Sequence, residues 1–154
     1  MASSIRIYLD NCCLNRPFDD QTQDRVRLES EAVTIIMRKV RSGEWIWVGS
    51  DINRIENEDS PDEDRKRDVD SLLMFQHERV MLDEDDISRA STIHALGFDV
   101  FDAYHVAAAE KGRCDVLLSA DDRLVARASR LQNRLRVSVR NPLAWLIEIE
   151  DAAR

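Results

Sequence analysis

Four short apolar runs are separated by long amphipathic stretches, and each run ends at or lies beside an acid. Ile5-Arg6-Ile7-Tyr8-Leu9 closes on Asp10, and Trp45-Ile46-Trp47-Val48 precedes Glu56. Phe98-Asp99-Val100-Phe101 runs into Asp102, and Val116-Leu117-Leu118-Ser119-Ala120 precedes Asp121. In an open parallel sheet, groups at the carboxyl ends of neighbouring strands converge on one crevice, where such folds bind ligands. Carboxylates gathered there repel one another unless a hard cation neutralises them, so the pattern points to divalent-metal and phosphate chemistry.

The stretches between the runs read as helices. Residues 24–41 place Val26, Val33, Ile36, Met37 and Val40 on one face and stop at Ser42-Gly43. Ser50 or Asp51 caps a helix carrying Ile52, Ile55 and Glu56. Ser60-Pro61-Asp62-Glu63 starts another, with Pro in its first turn and Val69, Leu72, Leu73 and Phe75 along it. Asp83-Glu84-Asp85-Asp86 caps a helix to about Leu96, and the most apolar helix covers 100–110 before Gly112. Residues 121–131 and the segment after Asn141-Pro142 supply the last two, and 16–20 reads as a loop. Strands are expected at 5–10, 45–48, 80–82, 115–119 and 135–139. This alternation predicts an α/β sandwich of three layers around a mainly parallel sheet of four or five strands.

Charge and cysteine usage narrow the function classes. The formal charge is −8, with acid concentrated at 56–64 and 83–86, but Arg113, Arg123, Arg127, Arg130, Arg134, Arg136 and Arg140 reverse the balance late in the chain. Distribution matters more than the sum for nucleic-acid contact, so an RNA substrate is compatible. Arg123, Arg127, Arg130 and Arg134 recur at helical spacing, as a solvated face or a phosphate-tracking stripe. Cys12, Cys13 and Cys114 give neither a disulfide framework nor a CxxC pair, and His77, His94 and His105 form no zinc signature. No apolar stretch is long enough to span a bilayer and the N-terminus lacks a signal-peptide pattern, so a cytoplasmic protein without membrane contact is expected. Phosphate-binding glycine loops are absent, and Asp10-Asn11-Cys12 lacks the second acid of an aspartyl-nucleophile phosphatase.

Tyr8-Leu9-Asp10-Asn11, then Phe101-Asp102-Ala103-Tyr104-His105-Val106-Ala107, then Leu118-Ser119-Ala120-Asp121-Asp122-Arg123-Leu124 resembles, in this order, the PIN-domain family. That family includes metal-dependent ribonucleases such as the VapC-type toxins of toxin–antitoxin pairs. The resemblance implies a PIN-like domain over 5–146, with 147–154 as a helix end or tail. It implies catalytic acids at Asp10, Glu56, Asp102 and Asp121, with Asp10, Asp102 and Asp121 holding Mg²⁺ or Mn²⁺, and Glu56 binding a second ion or steering water. Asn11 and Ser119 are expected to contact substrate. The middle acid rests on the spacing from Ser50 to Glu56; Glu58 and Glu31 compete for the role, Glu31 lying close to the apolar face of its helix. Asp99 is either a further site group or a capping residue. The family's usual hydroxyl after the first Asp is replaced by Asn11, and Asn15 or Arg16 is a candidate to compensate. The expected activity is endonucleolytic hydrolysis of single-stranded RNA, leaving 5′-phosphate and 3′-hydroxyl ends. A toxin would require an antitoxin, and the 52–76 stretch is a candidate antitoxin groove or homodimer surface. The rival reading is a non-catalytic PIN-like module that binds RNA or protein.

Overall fold

The computed structural model describes residues 4–154. Five strands form one all-parallel sheet: β1 (Arg6–Leu9), β2 (Ile46–Ser50), β3 (Glu78–Val80), β4 (Val116–Leu118) and β5 (Ser138–Arg140), in the order β3-β2-β1-β4-β5. Helices α1 (Asn11–Asn15), α2 (Asp24–Arg41), α3 (Asp51–Glu58), α4 (Glu63–Leu73), α5 (Glu84–Ala95), α6 (Val100–Lys111), α7 (Asp122–Arg130) and α8 (Pro142–Ala152) connect and cover it.

Successive residues on a strand point to opposite faces, so each buried strand feeds two cores. Ile7, Leu9, Trp47, Val116 and Leu118 meet α2 and α8 through Val33, Ile36, Val40 and Trp145. Tyr8, Val48 and Leu117 meet α5, α6 and α7 through Ile93, Val106, Ala107 and Leu124. The result is three layers. Helix α6 is apolar nearly all round because it is buried on most sides, with Ala103, His105, Val106, Ala107, Ala108 and Ala109 all inside.

The chain order runs outward from β1 to β2 and β3, then returns to β4 on the other side of β1. The sheet therefore reverses direction at the β1–β4 pair, and the crevice above their carboxyl ends is where an open α/β sheet places its ligand. Asp10 follows β1 there, and Ser119, Ala120 and Asp121 follow β4.

Several local expectations are corrected. Residues 16–18 of the expected loop form a 3-10 turn, and 11–15, for which no element was expected, form a helix, because five residues are too few to display a period. Asp62, not Pro61, is the N-cap of α4, so the proline stands ahead of the helix. The third strand is shifted to Glu78–Val80 and the fifth to Ser138–Arg140. Helix α7 stops at Arg130, and Arg134 lies in a separate 3-10 turn (Gln132–Arg134), which cuts the arginine stripe to three residues. The buried acid of α2 is Glu29, whereas Glu31 is exposed.

Candidate active site

Asp10 stands at the junction of β1 and α1. Its backbone N–H donates to Leu118 O (3.1 Å), which ties it to the end of β4. Its carboxylate caps α1, with Oδ1 accepting from the Cys13 N–H (3.2 Å) and from the Cys12 thiol (2.7 Å). Burial pushes its carboxyl above the usual carboxylate range, while the Cys12 bond pulls the other way.

Asn11 is held in a clasp with Asn53. Its Nδ2 donates to Asn53 O (2.7 Å) and its Oδ1 accepts from Asn53 Nδ2 (2.8 Å). Asn53 also donates to Leu9 O (3.2 Å) and accepts from the Ser50 N–H (3.2 Å), so one buried amide joins β1 to the start of α3. That join sets the position of Glu56, one turn further along α3. His105 Nε2 lies 3.1 Å from Glu56 Oε1.

Asp102 occupies the first turn of α6, where a carboxylate is favoured by the helix dipole. Its carboxyl is nevertheless pushed up to about 7, first by burial and then by the charges of Asp10, Asp121 and Asp99, with His105 acting against them. Asp121 serves as N-cap of α7, with Oδ1 accepting from the Arg123 (2.9 Å) and Leu124 (3.4 Å) N–H groups. It fills cap and crevice roles together. The adjacent Asp122 turns away to pair with Arg25.

Asp10, Glu56, Asp102 and Asp121 line one cavity of about 310 Å³ with Asn11, Cys12, Asn15, Asn57 and Ser60. Among these lining residues there is no Lys or Arg. Glu58 is exposed and absent from the lining, and Glu31 faces a separate depression beside Ser30, Thr34, Ile35 and Arg38. Arg16 pairs with Asp19 and Glu29 outside the cavity. Ser119 is buried, and its Oγ accepts from the Asp121 N–H (3.0 Å) and touches Cys12 Sγ (3.4 Å), so the hydroxyl shapes the turn beneath the cavity. Asp99 is the N-cap residue of α6 by backbone conformation, but its side chain makes no capping bond.

The donor set fits a hard divalent cation. Carboxylates with no Lys or Arg among them line the space, and Asn57, also in the lining, has its Oδ1 buried without a hydrogen-bond partner among the described residues. The tightest group of ligand atoms is Asp10 with Cys12 and Cys13, all within 4.8 Å of one another, and the three aspartates do not draw together that closely. The net effect of burial and of the nearby Asp10 charge keeps the Cys12 thiol above its ordinary value, although a bond to Cys13 opposes it; burial holds Cys13 higher still. Hard Mg²⁺ and Mn²⁺ prefer oxygen to sulfur ligands, which leaves the carboxylates as the donors.

Sequence reasoning missed Cys12, Asn53 and His105. Cys12, rather than the expected Asn15 or Arg16, bonds Asp10, and Ala120 N–H donates to its sulfur (3.2 Å). Asn53 follows Ser50 by three residues and completes a capping box with it, a signal readable from spacing. His105 is one turn after Asp102 and so shares its helix face.

The Asp102 shift has a testable sign. Its folded pKa of about 7 exceeds the ordinary aspartate value of 3.8, so the folded state holds the proton more tightly than the unfolded state. The stability this provides is complete below the unfolded value and is lost as pH rises towards 7. Thermal melting of metal-free protein should therefore fall from pH 4 to 7, and Asp102→Asn should flatten that fall and raise the melting temperature at pH 8. An unchanged slope in the variant contradicts the assignment.

A PIN-domain family profile matches residues 7–131. The chain is also similar to the crystal structure of FitAcB from Neisseria gonorrhoeae, at 18% identity and a TM-score of 0.55, over 88% of this chain and 97% of that one. No curated protein matches it. Among the described residues, no helix is long and apolar enough to cross a membrane.

Proposed function

The chain belongs to the PIN-domain family, and from that premise we propose that it is a Mg²⁺- or Mn²⁺-dependent endoribonuclease acting on single-stranded RNA. PIN domains are generally metal-dependent nucleases. The observation that carries the reading is the cavity at the sheet's reversal point, lined by Asp10, Glu56, Asp102 and Asp121 with no cationic side chain among them.

Asp10, Asp102 and Asp121 would hold the cation. When bound, it supplies Lewis-acid polarisation of the phosphate and a more acidic water. Glu56, on the opposite element from Asp121, orients the attacking water and takes its proton. Asn11 acts through the Asn53 clasp, and Ser119 through the turn that presents Asp121. The α7 residues Arg123, Arg127 and Arg130 line a depression together with Asp122, the neighbour of Asp121, and they suit the phosphates of a strand leaving the site.

A toxin role with an antitoxin, or a homodimer, would use the face formed by α3 and the end of α4. There Ile55 and Phe75 are exposed, and Met74 is 83% exposed. Trp45 and Trp47, by contrast, belong to the core.

The reading is tested with a labelled single-stranded RNA pool incubated with Mn²⁺, with EDTA, and with Mn²⁺ restored after EDTA. Cleavage that follows the metal and leaves 5′-phosphate and 3′-hydroxyl ends is expected. Metal-independent cleavage, or 2′,3′-cyclic phosphate products, would reject it; no cleavage by folded protein moves the reading to a non-catalytic RNA- or protein-binding module.

A further inference from the structure

Behind Glu56 lies a buried hydrogen-bond chain that no step above uses. Ser50 Oγ, Tyr8 OH, His105 and Glu56 follow one another at 2.7 Å (Ser50–Tyr8), 2.6 Å (Tyr8–His105 Nδ1) and 3.1 Å (His105 Nε2–Glu56 Oε1). Ser50, Tyr8 and His105 are each no more than 1% exposed. The chain joins the ends of β1 and β2, the start of α3 and the middle of α6, which are elements that carry Asp10, Glu56 and Asp102.

The direction of its protons is fixed by the partners. With Glu56 ionised, Nε2 must carry a proton, because a bare ring nitrogen facing a carboxylate places two acceptors together. Nδ1 of a neutral ring is then an acceptor, and its hydrogen-bond partner among the described residues is the Tyr8 hydroxyl, which donates. Tyr8 oxygen in turn accepts from Ser50, whose Oγ already accepts from the Ile52 N–H (3.2 Å) at the start of α3. Every group in the chain is satisfied in this one arrangement, the condition under which a buried polar network rigidifies its surroundings.

Resting on the nuclease reading of the cavity, we propose that His105 is a positioning residue for Glu56, and that Tyr8 acts by anchoring the His105 ring through its bond to Nδ1. The imidazole pins Oε1, which leaves Oε2 without a partner among the described residues and free to serve water in the cavity. Tyr8 and His105 touch no reacting atom. Their effect is on the orientation of the carboxylate, and so on kcat and not on RNA affinity.

The test has two arms on the full chain. First, the histidine ¹⁵N spectrum of metal-free protein should show His105 neutral with its proton on Nε2, and Tyr8→Phe should keep the proton there while shifting the Nδ1 resonance, whose hydrogen-bond donor is lost. A wild-type ring protonated on Nδ1 overturns the proposal. Second, Tyr8→Phe and His105→Leu should lower kcat by roughly 10- to 100-fold, the usual effect of removing an orienting partner, with KM within about twofold. His105→Gln, whose amide can accept from Tyr8 and donate to Glu56, should recover most of the loss. Equal kcat in wild type and Tyr8→Phe, or a loss confined to KM, overturns it, and Tyr8→Phe decides the matter if the buried leucine does not fold. A wild-type protein that cleaves no RNA would count against the nuclease reading, while the tautomer readout alone would still uphold or overturn the chain.

Discussion

Asp10→Asn is expected to abolish RNA cleavage, by on the order of 10³-fold or more, while leaving the fold in place. A rate loss of that size corresponds to about 4 kcal/mol of transition-state stabilisation, within the several kcal/mol that a correctly held metal supplies. The fold survives because Asn is as good an N-cap as Asp, and its Oδ1 can keep the bond from the Cys13 N–H that starts α1. The buried charge is lost, and burial was what disfavoured it. Asp102 loses one of the charges that raise it, so its carboxyl should titrate below 7 in the variant. Melting of the metal-free variant should accordingly be no lower than wild type. Cleavage at the wild-type rate, with melting unchanged, would remove Asp10 from the catalytic set.

Glu29→Ala should produce the largest loss of stability among single changes at charged residues outside the site. Glu29 is 1% exposed at the N-terminal end of the buried stripe of α2, and its two oxygens serve three partners. Oε1 accepts from Arg16 Nε (2.9 Å), while Oε2 accepts from Asn141 Nδ2 (2.6 Å) and from Arg25 (3.3 Å). Together these bonds fasten the turn after α1, the body of α2 and the cap of α8. Breaking a fully buried pair costs roughly 3–5 kcal/mol; because Arg16 and Arg25 retain water access, about 2–3 kcal/mol is expected. Chemical denaturation of the two proteins measures it, and a loss under about 0.5 kcal/mol, ordinary for a surface change, would refute the anchoring role.

These two residues also mark what the sequence does and does not disclose. Helix α2 was legible to its last residue, since the apolar stripe Val33, Ile36, Val40 and the Ser42-Gly43 stop are local signals. The same stripe extended back by four residues reaches Glu29, not Glu31, so the identity of the buried acid was written in the periodicity; its partners were not. Arg16, Arg25 and Asn141 come from three separate segments that only the tertiary fold brings together. Strand alternation and terminal acids likewise announced a parallel sheet with a crevice, but the β3-β2-β1-β4-β5 order, and with it the reversal point, depends on which crossovers the helices can pack. Short elements were missed or misplaced for a different reason. Helix α1 spans under two turns, and β3 and β5 have three residues each, lengths at which a pattern and its absence look alike.

Around the candidate site, the spacing of the acids was visible and the scaffolding behind them was not. The cavity gathers Asp10, Glu56, Asp102 and Asp121 from four positions spread over the chain. A buried His or Asn in a helix reads in sequence as an ordinary polar residue. It is the convergence of Tyr8, Ser50 and Glu56 on His105, and of Leu9, Asn11 and Ser50 on Asn53, that gives those two residues their place.

The most direct measurement is Mn²⁺ binding to the wild-type protein and to Asp10→Asn, Asp102→Asn and Asp121→Asn, followed by electron paramagnetic resonance or calorimetry. The account predicts a stoichiometric site in the wild type and at least tenfold weaker binding in each variant, with a proton released on binding near pH 7 from Asp102. Four proteins that bind Mn²⁺ alike, or a folded wild type that does not bind it, would contradict the claim that these carboxylates form the metal centre.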